Sequence, residues 1–318
     1  MSNKSIYREY IEDYINFRIA NNYKAASLNT LYDFDDFLYK NCYEKNVLSK
    51  EIIDKWDEKR LTETKVGQSL RIRTVRGFCK YLNACGIDAH ISTNYVKPEK
   101  NMPFVFDRDD MPSFFRGIDK YCLGIRTKHY RYMIPAILKL MYTSGLRIGE
   151  ACNIKINDID MENRRIHIRD SKNLKSRYAY ISASTADLLK KYMKKMKSDG
   201  LFETWLFPNS ISTNHILKSV VDHYFKKAVK TIGGFEGSHY PVPHSLRHSF
   251  TVHIINDWVS SGRDLNELMP YLENQLGHKG LNETMYYYHM VFESYEIIQK
   301  KTKDVYPEVK HDEKRMEW

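Results

Sequence analysis

Four helix-patterned segments crowd into the first ninety residues, and a stretch with no periodicity follows them. This change of pattern constrains the fold more than any other feature of the chain. Residues 5–21 set Ile6, Tyr10, Tyr14, Ile15, Phe17 and Ile19 at mostly helical intervals. Leu28, Leu31, Phe34, Phe37 and Leu38 form the stripe of a second helix from Ser27 to Tyr39. Ser49 caps a third, with Ile52, Ile53 and Trp56 turned inward. Thr62 or Thr64 opens a fourth that runs to Ala84, where Gly86 stops it. Residues 87–103 are polar and punctuated by Pro98 and Pro103, as an interdomain linker is. The chain has 318 residues, a length typical of two domains. The expectation is therefore a helical domain with linker over 1–100 and a second domain over 101–318.

Charge points to the partner. The formal net charge is +10, which favours an anionic ligand, nucleic acid being the commonest. The fourth helix concentrates the effect: Lys65, Arg71, Arg73, Arg76 and Lys80 are basic, with no acid between Glu63 and Asp88. Such a helix suits phosphate contacts in a groove, although a solvated face has the same composition. Five cysteines without a C-x-x-C pair give neither a disulfide framework nor a Cys-rich zinc site. No signal-peptide core and no run of about 18 apolar residues is present. The expected setting is a reduced cytoplasm, with no membrane partner.

The second half carries the chemistry. His244-Ser245-Leu246-Arg247-His248 opens a helix, Leu276-Gly277-His278 ends another, and Tyr286-Tyr287-Tyr288 follows. Arginine offers a planar fork of donors to a phosphate. Imidazoles exchange protons near neutral pH, and a phenol can attack. Upstream, a helix over 128–143 with Pro135 in its first turns ends at Gly145, and Arg147 begins the next helix. That helix start favours an anion. Residues 165–169 and 176–181 alternate as two strands around Lys172 and Lys175. Ser184 starts a lysine-rich helix to Lys197, and Thr213 or Asn214 caps one to Lys230. A last helix spans Phe292–Lys303 before a charged tail. His244 and His248, four apart, suggest zinc, but no third ligand is suitably spaced and Arg247 opposes a cation. His248 reads as a structural histidine.

In this order and spacing the set resembles the tyrosine recombinases, the phage-integrase family. H-x-x-R-H, L-G-H and a tyrosine nine residues after that last histidine recur there, and Thr143-Ser144-Gly145-Leu146-Arg147-Ile148-Gly149-Glu150 matches the box of the first catalytic arginine. Residues 104–290 carry specific motifs; residues 1–100 resemble the core-binding domain in pattern only. The resemblance implies a mainly α fold with a small antiparallel sheet, a helical DNA-binding domain and a recombinase catalytic domain. It implies site-specific cutting and rejoining of DNA through a 3′-phosphotyrosine, with no cofactor and no metal. Tyr287 would attack, Arg147 and Arg247 would clamp the phosphate, His244 would take the tyrosine proton or steady the phosphate, and His278 would hydrogen-bond to it. Glu150 would support from behind. Lys172, in a hairpin related to G-K-G-x-K-x-R, would be the general acid. Ser171 and Asn173 replace its usual glycines, and Lys175 is a rival that also suits DNA contact. The partner would be a double-stranded recombination site bound by a homo-tetramer. Two other readings stay open: a DNA-binding relative that no longer cuts, and a type IB topoisomerase-like enzyme.

Overall fold

The computed structural model describes residues 4–21, 28–41, 43–97, 102–169, 176–200, 204–211, 213–235, 240–278, 280 and 287. It divides into two compact units, Met1–Asn101 and Met102–Trp318. Lys172, Lys175 and the helix expected over Phe292–Lys303 lie outside the described residues.

The first unit packs α1 (Arg8–Ala20), α2 (Thr30–Lys40), α3 (Lys50–Asp57) and α4 (Lys65–Ala84). The expected apolar stripes meet in one core of Ile11, Tyr14, Leu31, Phe34, Leu38, Ile53, Trp56, Phe78 and Leu82. Phe34 meets Trp56 edge-on at 4.9 Å, a favoured aromatic geometry. Thr64 caps α4, its side chain accepting from the Gly67 amide.

Arg71 departs from the DNA-contact reading. Its guanidinium is buried. Nε and Nη2 donate to the Glu63 carboxylate at 2.8 and 2.7 Å, Nη2 donates to the Glu58 carbonyl at 2.9 Å, and Nη1 reaches the Trp56 carbonyl. A cation held this way ties α4 to the end of α3 and has no face for a phosphate. Arg76 is also engaged within the fold: Nε donates to Ser92 O at 2.8 Å, Nη2 to Asn94 O at 2.7 Å, and the group lies over Tyr95. Lys65, Arg73 and Lys80 are exposed. Arg73 and Lys80, with Arg18, Arg76, Tyr14 and Tyr95, line a groove of about 620 Å³.

The second unit contains α5 (Met111–Leu123), α6 (Tyr130–Ser144), α7 (Ile148–Cys152), α8 (Ala183–Ser198), α9 (Lys218–Ile232), α10 (Pro243–Ser260) and α11 (Leu265–Leu276). A three-stranded antiparallel sheet, β1 (Ile159–Asp160), β2 (Arg165–Ile168) and β3 (Arg177–Tyr180), lies in the order β1-β2-β3. Its register pairs Ile159 with Ile166 and Ile166 with Ala179, so Ile166, Ile168 and Ala179 enter the core. Helix α6 is the centre of that core, with Met133, Ile134, Ile137, Leu138, Leu140 and Met141 buried.

Two helix starts differ from expectation. Ser182, not Ser184, caps α8 by accepting from the Thr185 amide. Helix α9 starts at Lys218, after a backbone bridge between Pro208 and His215. There Asn209 Oδ1 accepts from the Thr213 amide, and Asn214 Oδ1 from the His215 amide. Both candidate cap positions thus belong to a turn.

Candidate active site

The site begins with a tight corner. Gly145 ends α6 at φ +66°. A Cβ there would stand 2.5 Å from the Phe250 ring and 2.8 Å from Leu276. Only glycine accommodates both the left-handed turn and this approach. The corner places Arg147 at the N-cap of α7, where its amide donates to Glu150 Oε2 at 3.0 Å.

Glu150 is the hub of three arginines. Arg177 grips it with two hydrogen bonds, Nη1 to Oε1 at 3.1 Å and Nη2 to Oε2 at 2.9 Å. Arg147 Nη1 donates to Oε1 at 2.8 Å, and Arg247 Nη1 stands 3.9 Å from Oε2. Burial pushes the Glu150 carboxyl up, but Arg177 and Arg147 outweigh it and leave the pKa below its ordinary value. One carboxylate against three guanidiniums leaves a local excess of positive charge, suited to a phosphodiester.

The arginines are also held by the end of α11. Arg247 is 1% exposed. Its Nη1 donates to Gly145 O at 2.7 Å and its Nη2 to Leu276 O at 2.8 Å. Arg147 reaches Leu276 O at 3.4 Å and Gly277 O at 3.2 Å. Burial first, and the charge of Arg147 next, lower the Arg247 pKa to about 10. It remains a cation at neutral pH. Gln275 fixes this corner in place: its Nε2 donates to Ser144 O and Tyr180 O, and its Oε1 accepts from the Tyr180 amide.

Helix α10 carries the histidines. Pro243 sits at its first position, where a missing N–H costs nothing. His244 is exposed in the first turn, and its ring meets His248 edge-on at 4.5 Å. His278 follows Gly277, which turns left-handed at φ +63°. Burial, then the charges of Arg247, Arg147 and Arg177, lower the His278 pKa to about 3. Tyr287 is 5% exposed and packs with Val252, Ile255, Met269, Leu272 and Leu276. Its ring lies parallel to His278 at 6.2 Å, and its hydroxyl is 2.8 Å from His248 Nδ1.

The structure thus brings Arg147, Glu150, Arg247, His244, His278 and Tyr287 together. It does not place Lys172 or Lys175. Two residues were missed as site members. Arg177 occupies the last position of the K-x-x-K-x-R run that begins at Lys172, so a signal for it existed. His248 closes the H-x-x-R-H pattern, which gave it a place but no role.

Comparison with known proteins agrees with the geometry. The model of the phage integrase family matches residues 105–294, more than half of the chain. The chain belongs to the phage integrase family. This integrase is 26% identical over 293 residues to y4rB, a candidate integrase/recombinase of Sinorhizobium fredii, covering 89% of this chain and 92% of the relative. It is 24% identical over 307 residues to tyrosine recombinase XerC of Staphylococcus epidermidis, covering 93% and 96%. Among solved structures, a lambda integrase(75-356) dimer bound to a COC′ core site superposes with a TM-score of 0.66 at 16% identity, covering 88% of this chain and 94% of that one. The mainly α fold with a small sheet is that of the tyrosine recombinases, and this integrase is a site-specific recombinase of the tyrosine class. No helix among the described residues is long and apolar enough to cross a membrane.

Proposed function

We propose that this integrase cleaves a double-stranded recombination site by attack of the Tyr287 hydroxyl on one phosphodiester. A 3′-phosphotyrosine forms, and the bond to the 5′-oxygen of the next nucleotide breaks. The returning 5′-hydroxyl of a partner strand then displaces Tyr287 and reseals the backbone. The ester energy stays in the covalent bond throughout. The observation that carries this reading is the pair Arg147 and Arg247, both hydrogen-bonded to Leu276 O beside Tyr287. Two preset cations next to a phenol supply what a phosphoryl transition state needs, donors aimed at the developing charge before reaction begins.

In this reading Arg147 and Arg247 hold the non-bridging oxygens. His244, exposed at the start of α10, takes the phenol proton or hydrogen-bonds the phosphate. His278, kept neutral by its surroundings, hydrogen-bonds the phosphate. Lys172 protonates the leaving 5′-oxygen. The groove lined by Arg18, Arg73 and Lys80 in the first unit receives the DNA backbone, and Lys65 adds charge to the same helix. The lambda integrase structure is a dimer on its DNA site; by extension, copies of this chain assemble on DNA as a tetramer, in the cytoplasm.

A nicked suicide substrate, whose short 5′-hydroxyl fragment diffuses away, tests this reading. Wild-type protein should accumulate a covalent adduct in EDTA and without ATP. Arg247→Ala should abolish the adduct and keep most DNA binding, because it removes transition-state stabilisation. A strict need for a divalent metal would contradict the mechanism. Full adduct formation by Arg247→Ala would remove that arginine from it.

A further inference from the structure

His248 lies one turn after His244 on α10, on the side of the helix that meets Tyr287. Its Nδ1 is 2.8 Å from the Tyr287 hydroxyl, and the two rings are 5.4 Å apart and tilted by 42°. The tyrosine ring is fixed by other means: apolar packing around it and the parallel His278 ring. Packing holds a ring but not the torsion of its hydroxyl hydrogen. That requires a polar partner with a fixed direction.

We infer that His248 is a positioning residue for strand cleavage, holding the Tyr287 hydroxyl through Nδ1 in the orientation from which the oxygen attacks. The inference rests on the reading of Tyr287 as nucleophile. A neutral imidazole with its hydrogen on Nδ1 presents Nδ1–H as a donor. Nδ1–H then donates to the phenol oxygen, and the hydroxyl hydrogen and the remaining lone pair point away from His248. A near-attack geometry demands this kind of restraint on the attacking atom.

The surroundings keep His248 in that state. Burial first, and then the charges of His244 and Arg247, lower its pKa to about 3. An imidazole so weakly basic does not remove a phenol proton at neutral pH, so His248 orients the hydroxyl and leaves proton transfer to another group. The edge contact with His244 joins the positioning group to the candidate base.

Side-chain geometry supplies the test. An asparagine amide reaches roughly where Nδ1 lies, whereas a glutamine amide reaches where Nε2 lies. At saturating suicide substrate, His248→Ala and His248→Gln should form adduct roughly tenfold or more slowly, while His248→Asn stays within about threefold of wild type, since misaligning a nucleophile costs rate and not affinity. DNA affinity should not change in any of the three. Wild-type speed in His248→Ala, or equal loss in Asn and Ala, would overturn the proposal. Tyr287→Phe separates the two readings. If it still forms adduct, the nucleophile is misassigned and this proposal falls with it. If it is inert while His248→Ala keeps full speed, only the positioning role is wrong. Should His248→Ala fail to fold, ¹⁵N-histidine spectra of the full chain decide: the His248 Nδ1 resonance should shift between wild type and Tyr287→Phe, and an unchanged resonance overturns the contact.

Discussion

Arg147 and Arg247 share one acceptor. Both guanidiniums donate to the carbonyl of Leu276, at 3.4 and 2.8 Å, from helices a hundred residues apart in sequence. Two like charges converge there because Glu150 stands between them and because α11 ends at that carbonyl. The charged cluster is therefore assembled by three chain segments, and each can be tested by removing one tie.

Arg177 and Glu150 form a buried tie of this cluster, each side chain about 6% exposed. Breaking a buried pair strands the remaining charge and typically costs about 3–5 kcal/mol. Glu150→Gln should lower the thermal midpoint and depress adduct formation together, because Arg147 loses the partner that orients it. Arg177→Lys, which cannot make the paired contact, should do the same to a smaller degree. A normal midpoint with Glu150→Gln would mean that the three arginines do not depend on it.

The basic helix α4 divides into two functions. Arg71→Ala should destabilise the first unit, by about 3–5 kcal/mol for a broken buried pair, and should leave the salt dependence of DNA binding alone. Arg73→Ala and Lys80→Ala should leave the midpoint unchanged and each reduce the log–log salt slope by about 0.9 per lost phosphate contact. A reduced salt slope with Arg71→Ala at full stability would restore it to the interface.

Acid should weaken the fold before the carboxylates titrate. His248 and His278 both have pKa values lowered from 6.5 to about 3 in the folded chain, by burial first and nearby cations next. Below about pH 6.5 the unfolded chain protonates them and the folded chain does not. Their contribution is thus complete above pH 6.5 and is lost progressively as pH falls toward 3. Near pH 5, unfolding should take up close to two protons from this pair. Urea midpoints measured from pH 7 to 5 should fall, and His248→Asn with His278→Asn should flatten the slope. Stability that holds or rises over that range would contradict the buried neutral assignment.

Much of this arrangement was legible in the sequence, and the exceptions have a common cause. Helical periodicity located α1–α4 and α6, and Gly145 marked the corner before Arg147. Alternation marked β2 and β3. These features depend on neighbours a few residues away. Arg71 could not be sorted from Arg73 by composition. What turns it inward is a set of acceptors at Trp56, Glu58 and Glu63, brought near by the α3–α4 junction. Arg177 and His248 stand in quoted motifs, but their roles come from distant partners, Glu150 and Tyr287, 27 and 39 residues away in the chain. The two-residue strand β1 is too short to leave a periodicity that could be detected.

The acid and the clamp should separate chemically. A substrate with sulfur at the scissile 5′-bridging position leaves without needing a proton. Lys172→Ala should be inactive on ordinary DNA and recover on this substrate far more than Arg247→Ala, whose defect lies in charge stabilisation. Equal rescue of both, or rescue of Lys175→Ala instead, would move the acid from Lys172.

The most direct measurement is the site of the covalent bond itself. Three adjacent tyrosines, Tyr286, Tyr287 and Tyr288, compete, and Tyr287 packs against Leu276, whose carbonyl is the shared acceptor of Arg147 and Arg247. Adduct trapped on a nicked suicide substrate should be digested and the DNA-bearing peptide sequenced by mass spectrometry. The account predicts a nucleotide on Tyr287, and a Tyr287→Phe protein that binds DNA without forming adduct. A nucleotide on Tyr286 or Tyr288, with Tyr287→Phe fully active, would contradict it.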